Sequence, residues 1–202
     1  MILSHKYRFL FVKTLKTAGT SIEVFLSQHC GPLDVVTPIL PHVDPHRARN
    51  HEGYFNHIPA AAIRERVGPE VWRSYFKFCV ERNPWDKTLS YYHMMNAREG
   101  GGLTFERFLE RNDLPVNYPT YTEPGDPGRV IVDRMLRYER LAQDLGEVFG
   151  TLGVPFDGSL GIHAKSAYRT DRRPYREVYS REQAELVRRA FEPEIALHGN
   201  SF

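Results

Sequence analysis

The sequence has few cysteines, no long apolar run and almost no net charge, and each absence excludes a class of protein. Two cysteines in 202 residues cannot form a disulfide framework, and Cys79 lies in an apolar run that predicts a reduced, buried thiol. The longest apolar run is far short of a membrane span, and Met1–Lys6 does not begin a signal peptide. We therefore expect a cytoplasmic protein without stable membrane insertion. A net charge of +2 argues against bulk binding of nucleic acid.

Apolar and aromatic residues are plentiful enough for a substantial core, since 41% of the chain is hydrophobic and 12% aromatic. Buried strands are predicted at 7–12, 75–80 and 130–138. Each is followed by a helical pattern, and the three helices begin near residues 22, 85 and 141. This alternation predicts one α/β domain over residues 1–202, with a central parallel sheet flanked by helices on both faces. Residues 31–59 and 113–129 are predicted to be long loops that shape a ligand site.

The richest candidate site follows the first strand, where the sequence from Lys16 to Ser21 is Lys-Thr-Ala-Gly-Thr-Ser. Backbone N–H groups converge at a strand-to-helix turn, and the helix dipole adds partial positive charge. Lys16 supplies a full charge, Gly19 permits close backbone approach, and Thr17, Thr20 and Ser21 offer hydroxyl groups. This pattern predicts a nest for a phosphate-like anion. The alternative is a plain turn in which Thr20 or Ser21 caps the helix.

A second candidate site begins at Arg82, at the end of the second strand, where α/β sheets place ligand-binding groups. Ser90 lies about two turns into the following helix. A guanidinium fork and a hydroxyl group can together hold a phosphate. The alternative makes Arg82 an ion-pair partner and Ser90 an ordinary helix residue. The nucleotide triphosphatase signature Gly-x-x-x-x-Gly-Lys-Ser/Thr is missing, because the lysine here precedes the glycine.

Both segments resemble motifs of one known family, the sulfotransferases that use 3′-phosphoadenosine 5′-phosphosulfate (PAPS). Phe11-Val-Lys-Thr-Leu-Lys-Thr-Ala-Gly-Thr-Ser21 resembles their 5′-phosphosulfate loop, and Phe78-Cys-Val-Glu-Arg-Asn-Pro-Trp-Asp-Lys-Thr-Leu-Ser-Tyr-Tyr92 resembles their 3′-phosphate motif. The similarity is closest to carbohydrate sulfotransferases of the heparan sulfate 2-O type and their bacterial relatives. It continues through Tyr138-Glu-Arg-Leu141 and the final helix.

The resemblance implies a three-layer fold related to that of P-loop nucleotide kinases, and a role for each matched residue. Lys16 would contact the phosphosulfate and stabilise charge on the leaving phosphate. The 5′ side would be held by Thr17, Ala18, Gly19, Thr20 and Ser21, and the 3′-phosphate by Arg82 and Ser90. The family usually has His or Arg and then Pro where this chain has Thr14-Leu15. Loss of that proline is expected to loosen the start of the loop without removing a charged contact.

Sulfuryl transfer also needs a base for the acceptor hydroxyl, and histidine suits this role because its pKa lies near neutrality. His57, in Asn-His-Ile-Pro, resembles the histidine that precedes the second motif in the 2-O-sulfotransferases, and His51 is the other candidate. His42, His46, His51 and His57 match no tight metal-ligand spacing, so no metal site is predicted.

Residues 163–176 carry five basic residues and one acidic residue. Such a run is either a solvated surface or, by resemblance to the family, a loop that closes over PAPS. The candidates for donor binding are Lys165, Ser166 and Arg169.

Taken together, the residues and the resemblance predict a PAPS-dependent sulfotransferase acting on a hydroxyl group. The acceptor is expected to be a small molecule or glycan, above all a carbohydrate or glycoconjugate, with adenosine 3′,5′-bisphosphate as the second product. The alternatives are a small-molecule kinase that uses ATP and a non-catalytic nucleotide-binding protein.

Overall fold

The computed structural model describes residues 1–161, 168–169, 171 and 173–202. In chain order its elements are β1 (Ile2–Ser4), β2 (Phe9–Phe11), α1 (Gly19–His29), β3 (Val35–Val36), α2 (Ala60–Ser74), β4 (Phe76–Glu81), α3 (Pro84–Arg98), α4 (Phe105–Glu110), α5 (Tyr118–Tyr121), β5 (Thr122–Glu123), β6 (Asp126–Val130), β7 (Arg134–Arg137), α6 (Leu141–Leu152), α7 (Arg181–Ala190) and α8 (Glu192–His198). Lys165 and Ser166, two of the predicted donor-binding residues, lie outside the described residues.

The main sheet has five strands in the order β3-β1-β2-β4-β7, and it is mixed instead of parallel. Strands β2, β4 and β7 are parallel neighbours, whereas β1 pairs antiparallel with both β2 and β3. The prediction of a parallel sheet is therefore correct for the three strands beside the candidate site and wrong for the other edge. The physical reason is a short turn between β1 and β2, which can join only antiparallel neighbours.

Alternation along the strands divides the core between the two faces of the sheet. Phe9 and Phe11 pack on one face with α1 and α6, and the larger cluster there comprises Ile2, Ile22, Leu26, Val36, Phe78, Val80, Leu136, Leu145, Val148, Phe149 and Val154. Leu10 and Val12 face the opposite side, where Ile63 of α2 and the buried Cys79 pack. Helices therefore cover both faces, as predicted, and the free, fully buried thiol of Cys79 is also confirmed.

A third apolar cluster anchors the helix that carries the second motif. It joins α3 to α4 and α7 through Trp85, Leu89, Phe105, Phe108, Val187 and Phe191. The Asn83 side chain accepts hydrogen bonds from the N–H groups of Trp85 and Asp86, and Pro84 is the first helical residue, as its sequence position predicts. The start of α3 is consequently fixed beside the end of β4.

The predicted element boundaries fail mainly where the chain turns sharply. The stretch expected to be one strand from 130 to 138 is divided between β6 and β7, and the expected loop 113–129 contains α5 and a β5–β6 hairpin. By contrast, the sequence predicts a helix from Ala60 to Val67 that Gly68 stops and a second helix from Val71 to Tyr75. The structure agrees with this division, because α2 consists of two helical parts that meet at a kink at Gly68, where φ is 76°. Within the described residues, none of the helices is long and apolar enough to cross a membrane.

Candidate functional site

The predicted anion-binding segments meet in one cleft of about 780 Å³, at the carboxyl ends of β2 and β4. All of residues 13–21 line it, as do His57, Arg82 and Ser90. Such a volume suits a ligand the size of a nucleotide. The two sequence motifs, of which the first ends at Ser21 and the second begins at Phe78, therefore form a single site.

The loop before α1 holds an unusual backbone conformation. Lys16 and Ala18 both have left-handed φ angles, of 60° and 63°, which side-chain-bearing residues adopt at a cost that the surroundings must offset. Ala18 occupies the N-cap, so the alternative in which Thr20 or Ser21 caps the helix is wrong. Because Ala18 has no polar side chain with which to cap the first N–H groups, the start of α1 suits an anionic ligand.

Hydroxyl groups inside the loop tie it to the sheet. Thr14 Oγ1 donates to the carbonyl oxygen of Val80 at 2.5 Å and lies 2.8 Å from Thr17 Oγ1. Thr17 lines the cleft but is fully buried, and its hydroxyl group also donates to the Thr14 carbonyl. Thr17 thus shapes the loop from within, in addition to lining the predicted site.

The guanidinium group of Arg82 lines the cleft and is also an ion-pair partner. Its Nε and Nη2 atoms donate to Asp86 Oδ2 at 2.8 and 2.6 Å, and Nη1 donates to the Lys16 carbonyl at 3.2 Å. The group lies 4.1 Å from the centroid of the Tyr138 ring. A guanidinium has five N–H bonds, so two remain beyond these three contacts. Arg82 is therefore an ion-pair partner that also lines the cleft, and its contact with Lys16 links the two motifs directly.

Of the three predicted donor-binding residues in segment 163–176, Arg169 is the one that the structure describes, and it lines the same cleft. Its Nη1 atom donates to Asp86 Oδ1 at 2.7 Å, so Asp86 lies between two arginines. Its other N–H groups donate to the carbonyl oxygens of Asp171 and Arg173. This segment is therefore connected to the second motif through Asp86, a residue to which the sequence analysis gave no role.

Of the two candidate bases, the described lining of the cleft includes His57 and not His51. His57 Nδ1 lies 3.1 Å from the carbonyl oxygen of Lys13. A carbonyl can only accept, so Nδ1 carries the proton and Nε2 has a free lone pair. Burial, with a smaller effect of the Lys13 charge, lowers the pKa of His57 from 6.5 to about 4. The imidazole is therefore neutral at pH 7. Within the described chain, no group of three or more His, Cys, Asp or Glu residues could hold a metal ion.

Lys13 is a structural residue of the loop that sequence reasoning missed. It is 3% exposed, and its Nζ atom donates to Glu23 Oε2 at 2.5 Å. The fully buried Glu23 also contacts the amino group of Met1. A Cβ atom on Gly19 would lie 2.7 Å from Lys13 Cγ, so the close approach that Gly19 permits includes this lysine stem. The position of Lys13 directly after a buried strand could have indicated its role, whereas nothing in the sequence marks Glu23, inside the following helix, as its partner.

Asn117 was missed as well, although it lies in a loop that was singled out. Its side chain accepts from the N–H group of Leu15 at 2.8 Å and donates to the Leu15 carbonyl at 3.1 Å. The start of the loop is consequently held at both backbone groups, in contrast to the expected loosening at this position.

Comparison with known proteins gives the chain a relative but no activity. No protein-family model matches the chain. An uncharacterized protein of Archaeoglobus fulgidus is 36% identical over 117 residues, which are 98% of that protein and 55% of this chain. The chain belongs to the family of that archaeal protein. The chemistry of this family member must therefore be argued from the cleft itself.

The charge of the cleft favours a polyanionic ligand. Its described lining contains one carboxylate, that of Asp86, and six cationic side chains. Two of these, Lys13 and Arg173, are paired with Glu23 and Asp171 outside the lining, so the excess positive charge comes from Lys16, Arg82, Arg98 and Arg169. In a cleft lined by one sign of charge, the local concentration of oppositely charged ligands rises. The arrangement can bind two separate anionic groups, one at the Lys16 loop and one at Arg82, with a neutral imidazole nearby.

Proposed function

We propose that the protein is a sulfotransferase that moves the sulfuryl group of PAPS to an acceptor hydroxyl. The observation that carries this proposal is the shared cleft, in which the Lys16 loop, the Arg82–Ser90 pair and His57 lie together. The similarity of both motifs to those of the PAPS-dependent family supports the same function, as does a mixed sheet flanked by helices, which is compatible with the P-loop-like fold expected of that family.

The donor set of the cleft fits PAPS. The molecule carries anionic groups at its 5′ and 3′ ends, and the cleft offers a lysine with a helix start at one place and a guanidinium with a hydroxyl at another. Arg82 has two N–H bonds beyond those used by Asp86 and Lys16. We assign these N–H groups and the Ser90 hydroxyl to the 3′-phosphate, which distinguishes PAPS from ATP.

His57 is the proposed base. When bound, PAPS supplies an activated sulfuryl group, whose bond to the 5′-phosphate breaks as the acceptor oxygen bonds to sulfur. His57 Nε2 takes the acceptor proton, while Nδ1–H remains bonded to the Lys13 carbonyl and fixes the ring. Nearby negative charge raises the pKa of an imidazole, so an anionic donor in the cleft offsets the effect of burial.

Lys16 is the proposed electrostatic catalyst. Together with the N–H groups at the start of α1, it neutralises negative charge that accumulates on the departing 5′-phosphate. Positioning and electrostatic stabilisation supply most of the catalysis in the analogous phosphoryl transfers. The proposed acceptor is a carbohydrate or glycoconjugate hydroxyl, an assignment that rests on the resemblance to the carbohydrate sulfotransferases.

Calorimetric titration with adenosine 3′,5′-bisphosphate, and with ADP in parallel, tests the donor assignment. We expect clear preference for the bisphosphate in the wild type. Arg82→Gln should lower bisphosphate affinity roughly ten- to hundredfold, because hydrogen bonds to charged groups are the strong ones. Arg107→Gln is the matched control, since Arg107 is an exposed residue of α4 outside the described lining of the cleft. Equal binding of both nucleotides contradicts the assignment, and preference for ADP favours the kinase alternative.

Transfer of labelled sulfate from PAPS to a panel of sugars, glycolipids and phenols tests catalysis. Lys16→Ala should nearly abolish turnover, and His57→Ala should lower it about 100- to 10 000-fold, the usual contribution of a general base. Bisphosphate binding without transfer to any acceptor supports a non-catalytic nucleotide-binding protein. Near-wild-type turnover by Lys16→Ala refutes the mechanism.

A further inference from the structure

A buried polar network lies behind the Lys16 loop, and its central member is Asn117. This residue is 0% exposed and immediately precedes α5. Its Oδ1 atom accepts from the Leu15 N–H group at 2.8 Å, and its Nδ2 atom donates to the Leu15 carbonyl at 3.1 Å. One amide therefore satisfies both backbone groups of the residue directly before Lys16.

The two hydrogen bonds act at the point where the loop leaves its ordinary conformation. Lys16 has a φ angle of 60° and Ala18 one of 63°, and such angles persist only where neighbouring structure holds them. Leu15 is the first residue of the turn that contains them. Anchoring Leu15 on both sides consequently restricts the backbone that carries the Lys16 side chain and leads to the start of α1.

Asn117 is itself held by a carboxylate from the last helix. Glu194 of α8 is fully buried, and its Oε1 atom accepts from the N–H groups of Asn117 and Tyr118, the latter at 3.0 Å. Its Oε2 atom accepts from Lys87 Nζ at 2.5 Å. A carboxylate at this position fixes the backbone of Asn117, and hence the direction in which its side chain points.

The same network reaches the second anion-binding segment. Glu81 Oε1 accepts from Asn117 Nδ2 at 3.2 Å, from Lys87 Nζ at 2.6 Å and from the Arg82 N–H group at 2.9 Å. Glu81 is 3% exposed. A single carboxylate oxygen thus joins the amide that holds Leu15 to the backbone of Arg82.

We propose that Asn117 is a positioning residue that holds the Lys16 loop in its anion-binding conformation and at a fixed position relative to Arg82. Glu194 in turn fixes the position of Asn117. The assignment of a ligand to that loop rests on the proposed function. Asn117 lies outside the described lining of the cleft, so its effect on a ligand is transmitted through Leu15 and Glu81.

The test compares the full-length wild type with Asn117→Ala, Asn117→Asp and Thr122→Val. The Asp variant keeps the acceptor for the Leu15 N–H group and loses the donor. Thr122→Val is the matched control, because Thr122 Oγ1 bonds the Tyr118 carbonyl and supports the same short helix without touching Leu15. Hydrogen exchange of amides 15–19 in the ligand-free protein reports on the loop, and calorimetry with adenosine 3′,5′-bisphosphate reports on binding.

We expect Asn117→Ala to accelerate exchange of these amides and to weaken bisphosphate binding, each about tenfold, as loss of two hydrogen bonds implies. Thr122→Val should change neither the exchange of amides 15–19 nor the affinity for the bisphosphate, even if it lowers global stability. Unchanged exchange and affinity in Asn117→Ala overturn the inference, as does an equal response in Thr122→Val. If Asn117→Ala fails to fold, the same criteria apply to Asn117→Asp. Failure of the wild type to bind the bisphosphate refutes the proposed function. In that case, hydrogen exchange of amides 15–19 in the wild type and the Asn117 variants still tests whether Asn117 holds the loop.

Discussion

Replacement of Gly19 by alanine should destabilise the protein through a steric conflict with Lys13. The added Cβ atom would lie 2.7 Å from Lys13 Cγ and 3.2 Å from Lys13 Cε, and the nearer contact is too short to persist. The lysine stem has little freedom to move, because Lys13 is 3% exposed and its Nζ atom is paired with the buried Glu23 at 2.5 Å.

The magnitude depends on how the conflict is relieved. If the loop shifts and the ion pair survives, overpacking costs about 1–3 kcal/mol. If Lys13 swings away, Glu23 loses its lysine partner inside the protein, and breaking a buried pair costs about 3–5 kcal/mol. Gly19 is the first residue of α1 and has no left-handed φ angle, so alanine meets no backbone penalty there. The whole loss of stability can therefore be attributed to the contact.

Urea unfolding measures the effect, with Gly150→Ala as the control. Gly150 lies inside α6, where a Cβ atom would meet nothing within 4 Å. Alanine is favoured over glycine in a helix by about 0.5–1 kcal/mol, so this variant should be slightly more stable than the wild type. Gly19→Ala is thus predicted to lower the free energy of unfolding, and Gly150→Ala is predicted to raise it. A Gly19→Ala protein as stable as Gly150→Ala would refute the reasoning.

Three further predictions concern charge. The ring NMR signals of His57 should show a neutral imidazole from pH 8 down to about pH 5.5, since burial lowers its pKa to about 4; a titration midpoint near 6.5 would contradict this. Burial, together with the negative charge of the neighbouring Glu81, raises the pKa of Glu194 from 4.5 to about 7. The folded protein then binds a proton that the unfolded chain does not, so the melting temperature of the wild type relative to Glu194→Gln should rise as the pH falls from about 7 to 4.5; parallel pH profiles of the two proteins would exclude this effect. Asp86→Asn should bind adenosine 3′,5′-bisphosphate more tightly in calorimetry, because it removes a negative charge held by Arg82 and Arg169. That gain should shrink at high salt, and weaker binding at low salt would show that Asp86 mainly orients the arginines.

Local sequence patterns predicted the parts of the site that depend on near neighbours. Strand β2, the loop after it and the start of α1 are consecutive in the chain, as are β4, Arg82 and α3. A buried strand followed by an amphipathic helix has a recognisable period, and Pro84 marks the start of α3 without any tertiary contact. These features placed both candidate segments correctly at the carboxyl ends of parallel strands.

The same reasoning misjudged features that depend on distant residues. The antiparallel edge of the sheet was missed because β1 contains only two apolar residues, Ile2 and Leu3, whereas β2 lies within the longer apolar run of residues 7–12. That the described lining of the cleft includes His57 and not His51 also needed the fold, because both histidines follow an asparagine in the same predicted loop.

The sequence by itself determined the α/β class, the two strand-to-helix junctions and the residue types that follow each strand there, because each depends on residues only a few positions apart. Only the tertiary structure decided that Asn117 holds Leu15 across 102 positions of the chain and that Glu194 and Lys87 pair across 107. It also decided that Lys13 is buried and paired with Glu23. Burial sets the energy of these polar groups, and burial arises only when distant segments pack together.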